Sequence, residues 1–152
     1  MAPKITKIEA DRVIAEQKII GGNIRWARIG RAFRLDDILV LCTTSQEILK
    51  LRGYVGPRNR SFVLLWKNYP IRKWTVHSRG KLPDGTRIDG PHKHVWDDDL
   101  EDEWCYVPTD IRIGNPNEEL IDFLRECNIE LLGSYRTELF FGQALRPSSG
   151  QA

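Results

Sequence analysis

The chain has 152 residues and a formal net charge of +2, with 41% hydrophobic and 29% charged residues, which is typical of one compact globular domain. This composition excludes a collagen-like or largely disordered protein, and the longest apolar runs, such as residues 38–42, are much shorter than a transmembrane helix. The N-terminus lacks the apolar core of a signal peptide, so we expect a cytoplasmic protein without membrane contact, with one domain at residues 1–145 and a flexible tail at residues 146–152.

The first predicted elements are three strands and a short helix. Residues 12–20 and 23–29 flank a Gly-Gly pair, which predicts a hairpin with a tight turn. A fully apolar strand follows at residues 36–43. We expect a short helix near residues 45–52, because Ser45 is a suitable N-cap and a glycine follows its end.

The second part of the chain predicts more strands and the principal helix. This helix begins after Asn115, which is a suitable N-cap, and Pro116 suits its first position. Its apolar residues recur at helical spacing up to Cys127. The sum is an α+β fold, a mainly antiparallel sheet with the C-terminal helix packed on one face. The remaining strands are expected at residues 61–66, 71–77, 92–96 and 103–107.

Several common classes of enzyme are excluded by missing motifs. The sequence has no Walker A loop, no GxGxxG after a strand, no GxSxG elbow and no HExxH pattern. Cys42, Cys105 and Cys127 are widely spaced and form no CxxC pair, so we expect reduced and mostly buried thiols.

Three histidines are the main candidates for chemistry. His92 and His94 are two apart on a predicted strand, so both imidazoles project from one face. If residues 71–77 pair with residues 92–96 so that 77 lies opposite 92, His77 joins them. Imidazoles at one site can act as general base and general acid in RNA cleavage without a metal, or bind zinc when neutral. The third interpretation is that they only stabilise the sheet.

Basic residues are concentrated in the first part of the chain. Residues 1–94 contain 19 Lys and Arg and 8 Asp and Glu, whereas residues 95–152 contain 4 and 13. A basic face would attract a polyanion, and guanidinium groups bind phosphate through two N–H groups. The alternative is that the two sets of charges interleave in the fold and neutralise each other. For the arginines at residues 25–34, the alternative is a solvated basic edge of the sheet. The predicted nucleic-acid-binding residues are Arg25, Arg28, Arg31, Arg34, Arg58, Arg60, Arg72, Lys73, Arg79 and Lys93.

Part of the chain resembles a known family. The sequence has PDG at residues 83–85, GPHKHVW at 90–96, EWCY at 103–106 and FLRECNI at 123–129. This order is similar to an uncharacterised family of small bacterial and prophage proteins whose pattern runs PDG, GPHxHxY, an acidic link, a W-A-Y strand and a helix ending near FLxxCNI. The sequence departs from that pattern at Trp96 and Cys105.

The resemblance covers residues 83–129, and His92 and His94 correspond to the histidine motif. The basic strands and the HxH motif are also faintly similar to TumE-type toxins of toxin–antitoxin modules. That similarity implies RNA cleavage or another role directed at nucleic acid.

Two functions from different classes follow from these patterns. The first is a small bacterial or phage protein that binds RNA or single-stranded DNA, and acts as a toxin-like endoribonuclease through His92, His94 and His77. It requires no cofactor and no metal ligand, with zinc as the alternative. The second is a non-catalytic inhibitor or accessory subunit of a defence or toxin–antitoxin system. Its protein partner would contact an acidic segment formed by Asp97, Asp98, Asp99, Glu101 and Asp102.

Overall fold

A computed structural model describes residues 4–76, 79–82 and 84–135 of the protein. It is an α+β fold, mainly antiparallel sheet with two helices, as the sequence predicts. The tail predicted at residues 146–152 lies outside the described residues. The elements in chain order are α1 (Lys7–Ala15), β1 (Lys18–Ile20), β2 (Ala27–Ile29), β3 (Ala32–Cys42), β4 (Ile48–Val55), β5 (Arg60–Trp66), β6 (Tyr69–Val76), β7 (Arg79–Lys81), β8 (Arg87–Asp89), β9 (His92–Asp97), β10 (Glu101–Tyr106), α2 (Pro116–Glu126) and β11 (Ile129–Leu131).

One large sheet contains nine of the strands. Its order is β10-β9-β6-β5-β4-β3-β1-β11, and β2 pairs with β3 outside this path. All of these pairs are antiparallel except β1 with β11. Strands β7 and β8 form a separate two-stranded sheet. The sheet therefore places β9, with its two histidines, beside the central strands.

Helix α2 covers one face of the sheet. The ring of Phe123 lies 6.0 Å from the ring of Phe62 on β5. Glu119 accepts hydrogen bonds from Arg60 and from the indole of Trp74. Because side chains alternate along a strand, the neighbours of Phe62 and Trp74 project from the opposite face, which we call the outer face.

The predicted C-terminal helix is confirmed. The Asn115 side chain accepts hydrogen bonds from the backbone N–H groups of Asn117 and Glu118, at 2.8 and 3.3 Å, and satisfies two free donors of the first turn. Pro116 occupies the first helical position. Leu120 and Phe123 are fully buried, so the apolar stripe read from the sequence faces the core.

The predicted hairpin at residues 12–20 and 23–29 is wrong. Residues Lys7–Ala15 form α1, which begins with a reciprocal capping box between Thr6 and Glu9. The T-x-x-E pattern of that box is a helix-start signal. Strand β1 pairs with β3 and β11 rather than with β2, so the Gly-Gly pair does not close a two-residue turn.

The short helix predicted near residues 45–52 is also wrong. Residues Ile48–Val55 form β4, in which buried and solvent-accessible positions alternate. Leu49 and Leu51 are fully buried, whereas Lys50 between them and Arg52 after them are accessible. Apolar residues two apart indicate a strand, whereas a helix stripe needs spacings of three and four.

The three cysteines are buried and form no disulfide with one another, as expected, and Cys42 and Cys127 lie in the apolar core. Burial raises the pKa of the Cys127 thiol well above its ordinary value, which keeps it protonated. Within the described part of the chain, neither helix has the length and hydropathy needed to cross a bilayer.

Candidate nucleic-acid interface

The two histidines of β9 lie on the outer face, as the HxH spacing predicts. Their ring centroids are 4.8 Å apart. Strands β6 and β9 pair as expected, but the assumed register is wrong, because Thr75 lies opposite His92 and Lys73 opposite His94. The third candidate, His77, lies outside the described residues.

His92 is fully buried, and both ring nitrogens have partners. Nδ1 lies 2.8 Å from the carbonyl oxygen of Gly90, which only accepts, so Nδ1 carries the proton in the neutral ring. Nε2 is then the acceptor, and the Thr75 hydroxyl donates to it across 3.0 Å. These contacts suit a group that holds β9 and β6 in register rather than one that meets a substrate.

His94 has a different environment. It is only half-buried, and its cross-strand neighbours are Lys73 on β6 and Cys105 on β10. Among the described histidines it is therefore the one that a ligand on the outer face can contact. An acid–base pair made of His92 and His94 would need His92 to leave its buried position.

Strand register aligns residues from five strands into a row that ends at His92. Each member lies directly opposite the next across neighbouring strands. With strands about 4.8 Å apart, the row spans roughly 19 Å of the outer face. Row one consists of Arg34, Tyr54, Ser61, Thr75 and His92.

A second row runs parallel to the first, displaced from it by two residues on each shared strand. It passes through His94 on β9 and ends on β10. Its accessible members include two cations and one apolar side chain. Row two consists of Arg52, Val63, Lys73, His94 and Cys105.

Tyr54 is the exposed aromatic side chain of these rows, with 39% of its surface accessible. A methyl group on Gly56 would approach the Tyr54 hydroxyl to 2.6 Å, so this glycine leaves room for the phenol ring. Concavities flank the ring on two sides, of about 200 and 170 Å³, and both are lined by Tyr54 and Ser61. The exposed ring of Tyr54 therefore lies between two recesses.

The cations of the outer face fall into two groups. Arg34 and Arg52 form ion pairs with Asp36 and Asp37, at 2.8 and 2.7 Å. Lys73, by contrast, has no carboxylate partner among the residues that the structure describes. Lys50 shares a carboxylate with Arg52, because the hydrogen bond from Arg52 and, in smaller part, the charge of Lys50 lower the pKa of Asp37. The Lys73 ammonium therefore gives the outer face a positive charge that no described carboxylate neutralises.

Three of the predicted phosphate-binding cations bind internal carboxylates instead. Arg60 makes two hydrogen bonds of 2.6 Å to Glu119. Arg72 and Lys93 both contact Glu126, at 3.3 and 3.2 Å. Burial lowers the pKa of Lys93, but the charge of Glu126 and the hydrogen bond to an aspartate outweigh it and hold that pKa above its ordinary value. These cations fix helix α2 and the loop before it to the sheet.

Four other predicted arginines lie at one end of the sheet. Phe33 pairs with Val55, so the turn between β2 and β3 lies next to the turn between β4 and β5. Row one crosses the sheet at this same end. The side chain of the last remaining candidate, Arg79, lies outside the described part. All four are exposed: Arg25 lies before β2, Arg28 in β2, Arg31 in the β2–β3 turn and Arg58 in the β4–β5 turn.

The acidic segment binds within the chain. Asp97 accepts hydrogen bonds from two backbone N–H groups of its own turn, and Asp98 accepts one from Lys7 at the start of α1. Glu101 pairs with Lys4 at 2.9 Å. Asp99 is exposed, and the side chain of Asp102 lies outside the described part. Cations of residues 1–94 and carboxylates of residues 95–152 therefore interleave and neutralise each other here and under α2.

Sequence reasoning missed several residues of the rows. Arg52 falls in the predicted helix and Tyr54 follows its end in no predicted element, which conceals their shared face. Ser61 and Thr75 carry no motif and become visible only when the register aligns them with His92. The alternation of Leu49, Leu51 and Val55 was the signal that places Tyr54 on the outer face.

Comparison with known proteins finds a family model that matches part of the chain. A family of unknown function (DUF6978) matches residues 66–129, which include the stretch that carries the predicted resemblance. The match covers β6, β9, β10 and α2, together with both histidines. No curated protein and no solved structure matches the chain.

Proposed function

We propose that the protein binds single-stranded nucleic acid, RNA or single-stranded DNA, across its outer face. The observation that carries the proposal is the alignment of an exposed aromatic ring, Tyr54, with hydroxyl groups and the unpaired ammonium of Lys73 on one sheet face. Proteins bind single strands with this combination, in which bases stack on aromatic rings and cations follow the backbone. The similarity to TumE-type toxins also favours RNA as the ligand.

The charge distribution supports this mode of binding. The carboxylates of α2 neutralise the cations of the helix-covered face, whereas Lys73 has no described carboxylate partner on the outer face. The exposed arginines extend this charge to the end of the sheet where Tyr54 lies. Binding fits the described geometry better than catalysis by a histidine pair, because His92 is buried with both nitrogens occupied.

The first test replaces Lys73 with glutamine. A labelled oligouridine is titrated by fluorescence anisotropy between about 50 and 200 mM salt, a range over which phosphate contacts lose affinity steeply. Lys73→Gln is expected to weaken binding and to reduce the slope of log affinity against log salt by about 0.7, the value for one phosphate contact on a single strand.

Arg125→Gln is the matched control for this test. It removes the same charge from α2, on the opposite side of the sheet, where the Arg125 side chain is 72% exposed. It should leave the slope unchanged. Equal losses in the two variants would mean that only overall charge matters, and equal affinity for duplex RNA would argue against a single-strand platform.

A second prediction concerns the exposed arginines before and within the β2–β3 turn. Replacing Arg25, Arg28 and Arg31 together with glutamine should lower the salt slope by up to about 2, because three phosphate contacts are lost. Thermal stability should change little, since all three side chains are exposed and have no carboxylate partner among the described residues. A large fall in melting temperature would instead assign these arginines a structural role.

A further inference from the structure

The smaller recess beside Tyr54 has the chemistry of an anion site. It has a volume of about 170 Å³ and lies where β5 and β6 meet the turn between β4 and β5. Its walls are Tyr54, Asn59, Arg60, Ser61, Lys73, Thr75 and Val76. No carboxylate is among these residues, so the recess is lined by hydrogen-bond donors and cations.

Three of the lining groups are available to a ligand. The side chains of Asn59, Ser61 and Lys73 make no hydrogen bond or ion pair within the described part of the chain. Together they offer an amide N–H, a hydroxyl and a half-buried ammonium. Arg60 is neutralised by Glu119, so Lys73 supplies the net charge of the recess.

One further hydroxyl of the recess, that of Thr75, contacts the buried ring of His92. The Thr75 hydroxyl lies 3.0 Å from Nε2 of His92 and is therefore already engaged by that ring. Thr75 therefore contributes to the wall but does not donate to an anion. The donors that remain, on Asn59, Ser61 and Lys73, lie on the side of the recess formed by β5, β6 and the turn.

We infer that this recess binds a phosphate monoester, the terminal phosphate of a nucleic-acid strand that lies across the outer face. A monoester presents three terminal oxygens and a charge near −2 at neutral pH, which matches three donors including an ammonium. A phosphodiester within a strand presents two such oxygens and one charge. The recess also lies along row one, beside Tyr54, so the first base of the strand can stack on that ring. This inference rests on the proposed function.

The experiment compares one oligonucleotide with a 5′-phosphate, a 3′-phosphate or hydroxyl ends. One phosphorylated form is expected to bind about tenfold more tightly than the hydroxyl form, as for one charge-assisted contact. In an Asn59→Ala/Ser61→Ala variant this ratio should fall towards one. Ser134→Ala, an exposed serine away from the sheet face, should keep the ratio.

A second arm adds inorganic phosphate or a nucleoside monophosphate and follows backbone amide shifts of Asn59 and Ser61 by NMR. Strands that bind equally with and without a terminal phosphate would overturn the inference and leave the proposed function standing. If no strand binds but free phosphate or the nucleotide shifts these amides, the recess is a phosphate site and the proposed function fails. If neither occurs, both are wrong.

Discussion

Glu119→Ala is expected to lower the free energy of unfolding by about 3–5 kcal/mol, the range for removing one partner of a buried ion pair. Glu119 is fully buried and accepts two hydrogen bonds from Arg60, one from the Trp74 indole and one from the backbone of Gly114. The substitution leaves the Arg60 guanidinium without its counter-ion beneath α2. Chemical denaturation followed by tryptophan fluorescence measures the loss.

The neighbouring residue supplies the control. Glu118 has a side chain that is 44% exposed, and it pairs with Arg112 at 3.3 Å. Glu118→Ala should cost less than about 1 kcal/mol, because exposed ion pairs contribute little. Similar losses at both positions would show that α2 depends on helix propensity or overall charge rather than on the buried contacts of Glu119.

Glu119 also connects stability to the candidate interface. Through Arg60 and Trp74 it fixes two adjacent strands, β5 and β6, whose outer-face residues include Ser61 and Lys73. A partly folded Glu119→Ala protein should therefore lose nucleic-acid binding together with its structure. Binding assays on this variant need the folded fraction measured in the same buffer.

Local patterns in the sequence predicted much of this fold. The cap at Asn115 and the stripe through Leu120 and Phe123 define α2, because a cap and helical spacing act over a few residues. Apolar strands gave β3, β5 and β6, and the HxH spacing placed both imidazoles on one face. The errors came where local signals conflicted, as in the segment that became β4, which has a cap-like Ser45 but an alternating pattern.

The site was harder to predict because it depends on long-range register. A shift of one residue in the β6–β9 pairing moves a side chain to the other face, and no local signal distinguishes Thr75 from its neighbours as the partner of His92. Long-range contacts also explain why some predicted phosphate-binding cations are paired within the protein. Arg60 and Lys93 bind carboxylates that lie 59 and 17 residues away in sequence, so composition alone described them as free.

His92→Ala is expected to affect mainly stability, and His94→Ala mainly the binding of RNA. His92→Ala should lower the free energy of unfolding by about 2–4 kcal/mol, because it leaves a cavity and unpairs both the Gly90 carbonyl and the Thr75 hydroxyl. His94→Ala should cost about 1 kcal/mol, since the side chain is half-buried, but it should weaken binding of single-stranded RNA. Denaturation curves and anisotropy on the same preparations separate the two effects.

The same variants decide between binding and catalysis. Under the proposed function, RNA incubated with the wild-type protein stays intact, and His92→Ala binds it normally per folded molecule. If instead the wild type cleaves RNA and each alanine variant, while folded, loses about 10²–10⁴-fold in rate, the histidines are an acid–base pair and His92 must leave its hydrogen bonds. If both variants lose a bound zinc ion that the wild type retains, the histidines are ligands. The expected result follows from the buried ring of His92, whose Nδ1 already contacts the Gly90 carbonyl and whose Nε2 contacts Thr75 on β6.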